Sequence, residues 1–177
     1  MSVRPAIAAD IPAMLDLESR CPTASHWSQR QYEDLFSTRG DGPRRLVLLV
    51  EESADGAKHA PELQLESAPS RIATRVLGFL IANQIGPEWE LENIVVAPAS
   101  RRKGLATQLF TTLLARARET NSERVFLEVR ESNQAARSLY IQLGFEQIGR
   151  RKLYYANPQE DAVLYRLVLT HGSTSDR

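Results

Sequence analysis

The sequence predicts an α/β fold of mixed α+β character: a single mixed central β-sheet of about seven strands, flanked by about four helices. Three observations carry this expectation. Residues 91–96, LENIVV, are rich in Ile and Val and are stopped by Pro98, which cannot donate to a sheet ladder. After them Leu105, Leu109, Thr112, Leu113 and Arg116 recur at three- and four-residue steps, forming the mostly apolar face of a long helix. A second strand and a second helix follow in residues 124–145, RVFLEVRESNQAARSLYIQLGF.

Taken in order, a short strand at residues 2–4 leads into a helix at 11–20. Asp10 is its expected N-cap, Pro12 fits the first turn, and Ile11, Met14, Leu15 and Glu18 share a face. Cys21-Pro22-Thr23 break the chain. Ser28 then caps a short second helix, with Gln31 completing a capping box and Tyr32, Leu35 and Phe36 facing inward. Asp41-Gly42-Pro43 reads as a turn, and residues 44–52 as a strand whose antiparallel partner is 76–85, VLGFLIANQI. The connection at 53–75 is Ala-rich, broken by Gly56, Pro61 and Pro69, and far longer than a usual hairpin loop. It is expected to be a flexible surface insertion.

The strand at 91–96 and a helix at 104–119 follow, the helix ending at Asn121, a residue that tolerates the left-handed conformation. In the strand at 124–130, Val125, Leu127 and Val129 point one way and Phe126, Glu128 and Arg130 the other. Ser132 or Asn133 caps the next helix and Gly144 stops it. A strand at 145–153, a loop at 154–161, a strand at 162–169 and a polar tail at 171–177, read as disordered, complete the chain.

With 177 residues the chain suits one domain, assigned to residues 1–170. Its 22 basic and 22 acidic residues cancel, so no global field favours nucleic acid or an anionic membrane. Basic residues cluster only locally, at 101–103 and 150–152. No apolar run approaches the ~20 residues of a membrane span, and the N-terminus lacks the apolar core of a signal peptide. Cys21 is the only cysteine, which excludes an intramolecular disulfide and reads as a small buried hydrophobe. A cytoplasmic protein is the default expectation.

Two stretches carry chemistry. Between the strand at 91–96 and its helix lies Ser100-Arg101-Arg102-Lys103-Gly104-Leu105-Ala106. The first N–H groups of a helix lack internal partners and sit at its positive end, so this turn can hold phosphate. Gly104 and Ala106 keep the approach open, and Arg101, Arg102 and Lys103 add charge. It is neither a Walker loop nor a dinucleotide fingerprint, and alone it reads more readily as a solvated basic turn. Further on, Glu128 stands among apolar neighbours, where burial costs several kcal/mol unless the carboxylate is paired. An ion pair with Arg130 or Arg124 is one reading. A site is the other, since ligands in α/β sheets bind beyond the carboxyl ends of strands. Asn133 and Tyr140 lie almost two turns apart and share a helix face, though Tyr140 alone reads as a core aromatic.

The two stretches together resemble the GCN5-related N-acetyltransferase (GNAT) superfamily, whose members take acetyl groups from acetyl-CoA. The match is Arg102-Lys103-Gly104-Leu105-Ala106 with Asn133, Ala136, Leu139-Tyr140 and Leu143-Gly144-Phe145. Within that superfamily the chain looks most like the RimI type, the bacterial ribosomal-protein-alanine N-acetyltransferases. Leu127-Glu128-Val129-Arg130 with Ser132-Asn133 carry that likeness, as do Arg150-Arg151 with Tyr154-Tyr155 and Glu160-Asp161-Ala162. The resemblance covers most of the chain. One departure is His26-Trp27-Ser28, where the RimI group usually has Pro in place of His26.

The resemblance implies a GNAT-like fold, a short hairpin where residues 53–75 stand, acetyl-CoA as co-substrate and no metal. The turn Arg101, Arg102, Lys103, Gly104, Leu105, Ala106 and Thr107 would seat the pyrophosphate, with Ile94, Val95 and Val96 along the pantetheine arm and Asn133 touching the cofactor. The N–H of Val96 would face the thioester oxygen. Glu128 would act as proton acceptor and Tyr140 as proton donor to the leaving sulfur. Trp27, Glu92, Tyr154 and Tyr155 would shape the acceptor site. Glu88, Glu90 and Glu92 compete with Glu128 as bases, since some acetyltransferases place the base on that strand.

The acceptor implied is a protein or peptide N-terminus, foremost the N-terminal alanine of a small-subunit ribosomal protein. No direct nucleic-acid contact, no membrane partner, and a monomer or weak dimer are expected. A lysine side chain, polyamine or other small amine is the alternative acceptor. A non-enzymatic acetyl-CoA-binding module would need neither Glu128 nor Tyr140.

Overall fold

The computed structural model describes residues 1–22, 24–37, 44–52 and 75–170. The strands are β1 (Ser2–Pro5), β2 (Arg44–Glu52), β3 (Arg75–Ile85), β4 (Glu88–Val96), β5 (Arg124–Arg130), β6 (Glu146–Ala156) and β7 (Gln159–Val168). The helices are α1 (Ile11–Ser19), α2 (Gln29–Leu35), α3 (Leu105–Glu119) and α4 (Gln134–Gln142), with 3-10 turns at Ala8–Asp10 and Pro98–Ser100.

The strands form one seven-stranded mixed sheet in the order β1-β2-β3-β4-β5-β7-β6. Every neighbouring pair is antiparallel except β4 and β5. Those two pair only from Glu88↔Arg124 to Leu91↔Leu127, and beyond Leu91 they part. At the same level β4 carries a bulge: Ile81 faces Asn93 while Ala82 faces Leu91, so Glu92 is the extra residue. Bulge and splay together open a cleft at the carboxyl end of β4.

Both faces of the sheet are covered in part. Trp89, Leu91, Val125, Leu127, Val129 and Tyr165 pack against Leu105, Leu109, Phe110 and Leu113 of α3 and Tyr140 of α4. On the other face Val47, Leu49, Phe79, Ile81 and Val95 pack against Ile11, Met14 and Leu17 of α1 and Tyr32 of α2. There Phe126 of β5 and Leu164 of β7 remain only half-buried. Among the described residues, no helix is long and apolar enough to cross a membrane.

Local signals set most boundaries. The Ser28 hydroxyl accepts the Gln31 N–H at 3.4 Å while the Gln31 side chain accepts the Ser28 N–H at 2.8 Å, the expected capping box. Both long-range helices end in paired C-terminal bonds around a left-handed residue: Asn121 (φ 51) after α3 and Gly144 (φ 87) after α4. The strands β2 and β3 are antiparallel neighbours as expected, with Glu52 facing Arg75 across the ends of the insertion.

Four expectations need correction. Asp10 is helical in backbone (φ −86, ψ −12), and its carboxylate turns back to the Ile7 N–H and Arg4 rather than capping α1. Strand β4 begins at Glu88, because Glu88 and Glu90 alternate with buried Trp89 and Leu91. Strand β6 runs to Ala156 and β7 starts at Gln159, so the expected loop at 154–161 is mostly strand with a tight turn. Arg75 opens β3, whereas the rest of the expected insertion, the Asp41-Gly42-Pro43 turn and the tail lie outside the described residues.

Candidate active site

The cleft between β4 and β5 exposes one edge of backbone. The Ala97 N–H donates to the Leu77 carbonyl at 2.8 Å, towards β3. By strand alternation the N–H groups of Ile94 and Val96 turn the other way, into the gap. Val95, in between, is packed into the core. The Arg101 guanidinium donates to the Val96 carbonyl at 3.4 Å, which ties the following turn to this edge.

That turn is bent by two left-handed residues, Arg102 (φ 60) and Gly104 (φ 75). The first N–H groups of α3, at Leu105, Ala106 and Thr107, lack helical acceptors. They line a cavity of about 570 Å³ together with Ser100, Arg101 and Arg102. Its opposite wall is α4, where Ala135, Ala136 and Ser138 are small enough to leave a channel. A Cβ at Gly104 would meet nothing within 4 Å, so the glycine is needed for its backbone angle and an open approach. The donor set fits a pyrophosphate followed by an extended arm along Ile94 and Val96. Lys103, although part of the same turn, does not line this cavity.

A second cavity of about 570 Å³ shares Ile94, Val96, Asn133 and Tyr140 with the first. It brings together Trp27, Glu92, Glu128, Tyr154 and Tyr155, all placed near a site by the sequence, along with exposed His26. Asn133 caps α4 by accepting the Ala136 N–H at 3.2 Å. Its other amide atom is a donor, so the same residue can end the helix and meet a ligand.

Glu128 pairs with neither arginine the sequence offered. Arg130 bonds Glu160 at 2.7 Å and Arg124 bonds Glu88 at 2.8 Å. Its partner is Arg151 of β6, at 3.0 Å. A hydrogen bond to Glu128 raises the Tyr154 phenol above its ordinary value. Burial pushes the Tyr155 phenol up to about 12, and the Arg130 guanidinium stacks 4.1 Å from its ring centroid. Tyr140 is 3% exposed, set among Phe110, Phe145 and Tyr165, and burial raises its phenol strongly. It is thus a core aromatic and a cavity wall at once.

The competing carboxylates separate. Glu88 is tied to Arg124, and neither it nor Glu90 lines the second cavity. Glu92 does line it, and burial first of all raises its carboxyl, with Arg45 at 3.6 Å acting in the opposite sense.

Sequence reasoning did not assign a site role to Glu18 or Asn93. Glu18 is 2% exposed and accepts from the Tyr32 hydroxyl at 2.8 Å, the Asn93 amide at 2.9 Å and the Trp27 N–H at 3.0 Å. Asn93 also donates to the Ser25 carbonyl at 3.1 Å. The network pins the loop carrying Ser25, His26 and Trp27 to β4 beside the cleft. The one available signal was a carboxylate on the apolar face of α1.

A splayed β4–β5 pair, a turn of unpaired N–H groups opening α3, and Glu128 with Tyr140 in the adjoining cavity suit an acyl-group transferase. The chain belongs to the acetyltransferase (GNAT) family, whose model matches residues 11–145. It is an acetyltransferase, and this family uses acetyl-CoA. One relative, the ribosomal protein bS18-alanine N-acetyltransferase of Haemophilus ducreyi, is 37% identical over 97 residues, 53% of this chain and 67% of that one. The enzyme of the same name from Salmonella typhimurium is 29% identical over 163 residues, 91% of this chain and 93% of its own. The crystal structure of the ribosomal-protein-S18-alanine N-acetyltransferase from Escherichia coli superposes with a TM-score of 0.71 at 24% identity, covering 99% of this chain and 98% of that one.

Proposed function

We propose that the protein moves the acetyl group of acetyl-CoA to the N-terminal α-amine of a protein, with the N-terminal alanine of a small-subunit ribosomal protein as the acceptor. The observation that carries this reading is the meeting of Glu128, Tyr140 and the Ile94–Val96 edge in one cavity, continuous with the cavity over the α3 turn. The names of the Haemophilus and Salmonella relatives support the acceptor.

Acetyl-CoA, when bound, supplies an acetyl group activated as a thioester. The α3 turn holds its phosphates through backbone N–H groups and arginine charge. The Val96 N–H stabilises negative charge developing on the carbonyl oxygen. Glu128 takes the proton that the α-ammonium must lose, directly or through water, and the freed amine forms the new C–N bond as the C–S bond breaks. Tyr140, kept protonated by burial, gives its proton to the departing sulfur, and the second proton that the nitrogen sheds as the amide forms restores the phenol. Trp27, Tyr154 and Tyr155 wall the acceptor's approach.

An α-amine titrates near ~7.7–8.0 and lysine near ~10.4, so freeing a chain terminus costs about 3.4 kcal/mol less. A peptide with free N-terminal alanine should therefore be acetylated far faster than one with a blocked terminus and an internal lysine. Steady-state rates on both, with spermidine as a third acceptor, test this. A faster lysine peptide or polyamine would assign the enzyme to that acceptor class instead.

A further inference from the structure

The open face of the sheet holds a third cavity, of about 280 Å³, that the reaction above does not use. Its apolar lining is Ile85, Phe126, Ile148 and Leu164. Ile85 and Ile148 are 55% and 44% exposed, and Phe126 and Leu164 are half-buried, so this is a contiguous apolar surface facing water. Such surfaces on a folded protein mark contact sites. Glu128 lines both this groove and the reaction cavity. The reaction cavity thus shares Asn133 and Tyr140 with the channel over the α3 turn and Glu128 with this groove, which puts the groove beside the reaction cavity.

We propose that this groove seats the third residue of the acceptor chain and selects a bulky apolar side chain there, an inference that rests on the peptide-acceptor reading above. The spacing fixes the position. Phe126 precedes Glu128 by two residues on the same strand face, a separation of about 7 Å. An extended peptide advances about 3.3 Å per residue, so an α-amine held at Glu128 brings its third residue over Phe126. Charge agrees with a polypeptide lying there. Glu88 and Arg151 also line the groove but are paired with Arg124 and Glu128, whereas Glu90 is exposed and makes no ion pair among the described residues, which favours a basic neighbour in the acceptor and disfavours an acidic one.

The test uses hexapeptides with free N-terminal alanine and Leu, Gly or Glu at the third position, beside an alanyl-glycine amide too short to reach the groove. With the intact enzyme, kcat/KM for the Leu peptide should exceed that for the Gly peptide by about tenfold or more, the worth of burying one large apolar side chain. Ile148→Glu, and separately Ile85→Glu, should collapse that ratio while slowing the dipeptide far less. Both positions are exposed, so the fold should survive either change. Equal rates for Leu and Gly peptides would overturn the subsite while leaving N-terminal acetylation intact. Rates near zero on every peptide, with acetyl-CoA still bound, would instead overturn the acceptor reading and the subsite with it. If sedimentation shows a dimer that Ile148→Glu splits with no change in the Leu/Gly ratio, the groove belongs to a second copy and the proposal fails.

Discussion

Glu128 Oε1 lies 3.0 Å from Nη1 of Arg151, joining the end of β5 to the β6–β7 hairpin whose Tyr154 and Tyr155 line the same cavity. Arg151 is 55% exposed, so the pair itself adds little to stability. The functional cost of losing Glu128 should be far larger. Glu128→Gln should lower kcat by roughly 10²–10⁴, the usual worth of a general base, with acetyl-CoA affinity little changed. Raising the pH should restore part of the rate as bulk base takes over. A Glu92→Gln variant that loses more activity than Glu128→Gln at neutral pH would move the base to the bulge of β4.

Tyr140 gives the opposite pH behaviour. Burial holds its phenol well above the ordinary value of ~10, so it stays protonated throughout a neutral to mildly alkaline assay. Tyr140→Phe should therefore lower kcat by a constant factor across that range, without rescue at high pH. A pH–rate profile for the two variants side by side separates acid from base.

The phosphate turn can be tested without turnover. Acetyl-CoA at about a hundredfold excess over Kd should stabilise the protein by ~2.7 kcal/mol, read as a rise in Tm. Gly104→Asp forces a side chain into a left-handed backbone (φ 75) and puts negative charge where phosphate would sit. Most of the Tm shift should vanish. Gly104→Ala should pay only the backbone strain, about 1 kcal/mol, and keep part of the shift.

Glu92 makes a prediction in stability. Burial, the largest influence, raises its carboxyl; Arg45 opposes this and Glu90 adds to it. A carboxyl raised in the fold binds its proton more tightly folded than unfolded. That contribution is fully present below the unfolded value of ~4.3 and is lost as pH rises through the folded one. Glu92→Gln removes it. The stability difference, variant minus parent, should thus shift in the variant's favour between about pH 4 and pH 7 in urea titrations. A shift in the opposite direction would mean that the Arg45 contact outweighs the burial.

Much of the fold that frames this site was legible because its signals are local. The Ile/Val run of β4, the three- and four-residue steps of α3, the Ser28–Gln31 box and the two left-handed helix ends each depend on neighbours in sequence. The reading failed where partners are distant. Arg151 reaches Glu128 only because β7 lies between β5 and β6, and no spacing in the sequence encodes that order. The strand character of Tyr154–Ala156 was hidden by a break in register between Arg151 and Tyr155, with Leu153 at φ 52. Glu88 and Glu90 concealed the start of β4, since glutamate is depleted in strands, although Trp89 and Leu91 between and beyond them point to the core.

Glu18 is the sharpest test of how the acceptor wall is held. Its buried carboxylate accepts three donors, from Tyr32, Asn93 and Trp27. Glu18→Ala would strand all three, and an unsatisfied buried donor costs about 1–3 kcal/mol, so a loss of roughly 3–5 kcal/mol is expected. Glu18→Gln keeps one acceptor oxygen and should cost about 1–3 kcal/mol, whereas Tyr32→Phe removes a single bond and should cost ~0.5–1.5 kcal/mol. The kinetic signature is more telling than the stability. Asn93 neighbours Ile94 on the cleft edge and also binds the Ser25 carbonyl, so loosening this network moves the loop with Trp27. In the folded fraction of Glu18→Gln, KM for the acceptor peptide should rise several-fold with acetyl-CoA affinity unchanged. Tyr32→Phe leaves the Trp27 and Asn93 bonds in place and should keep KM near that of the parent. If both variants lose stability while neither changes KM, the network supports the core of α1 and α2 and does not position the acceptor.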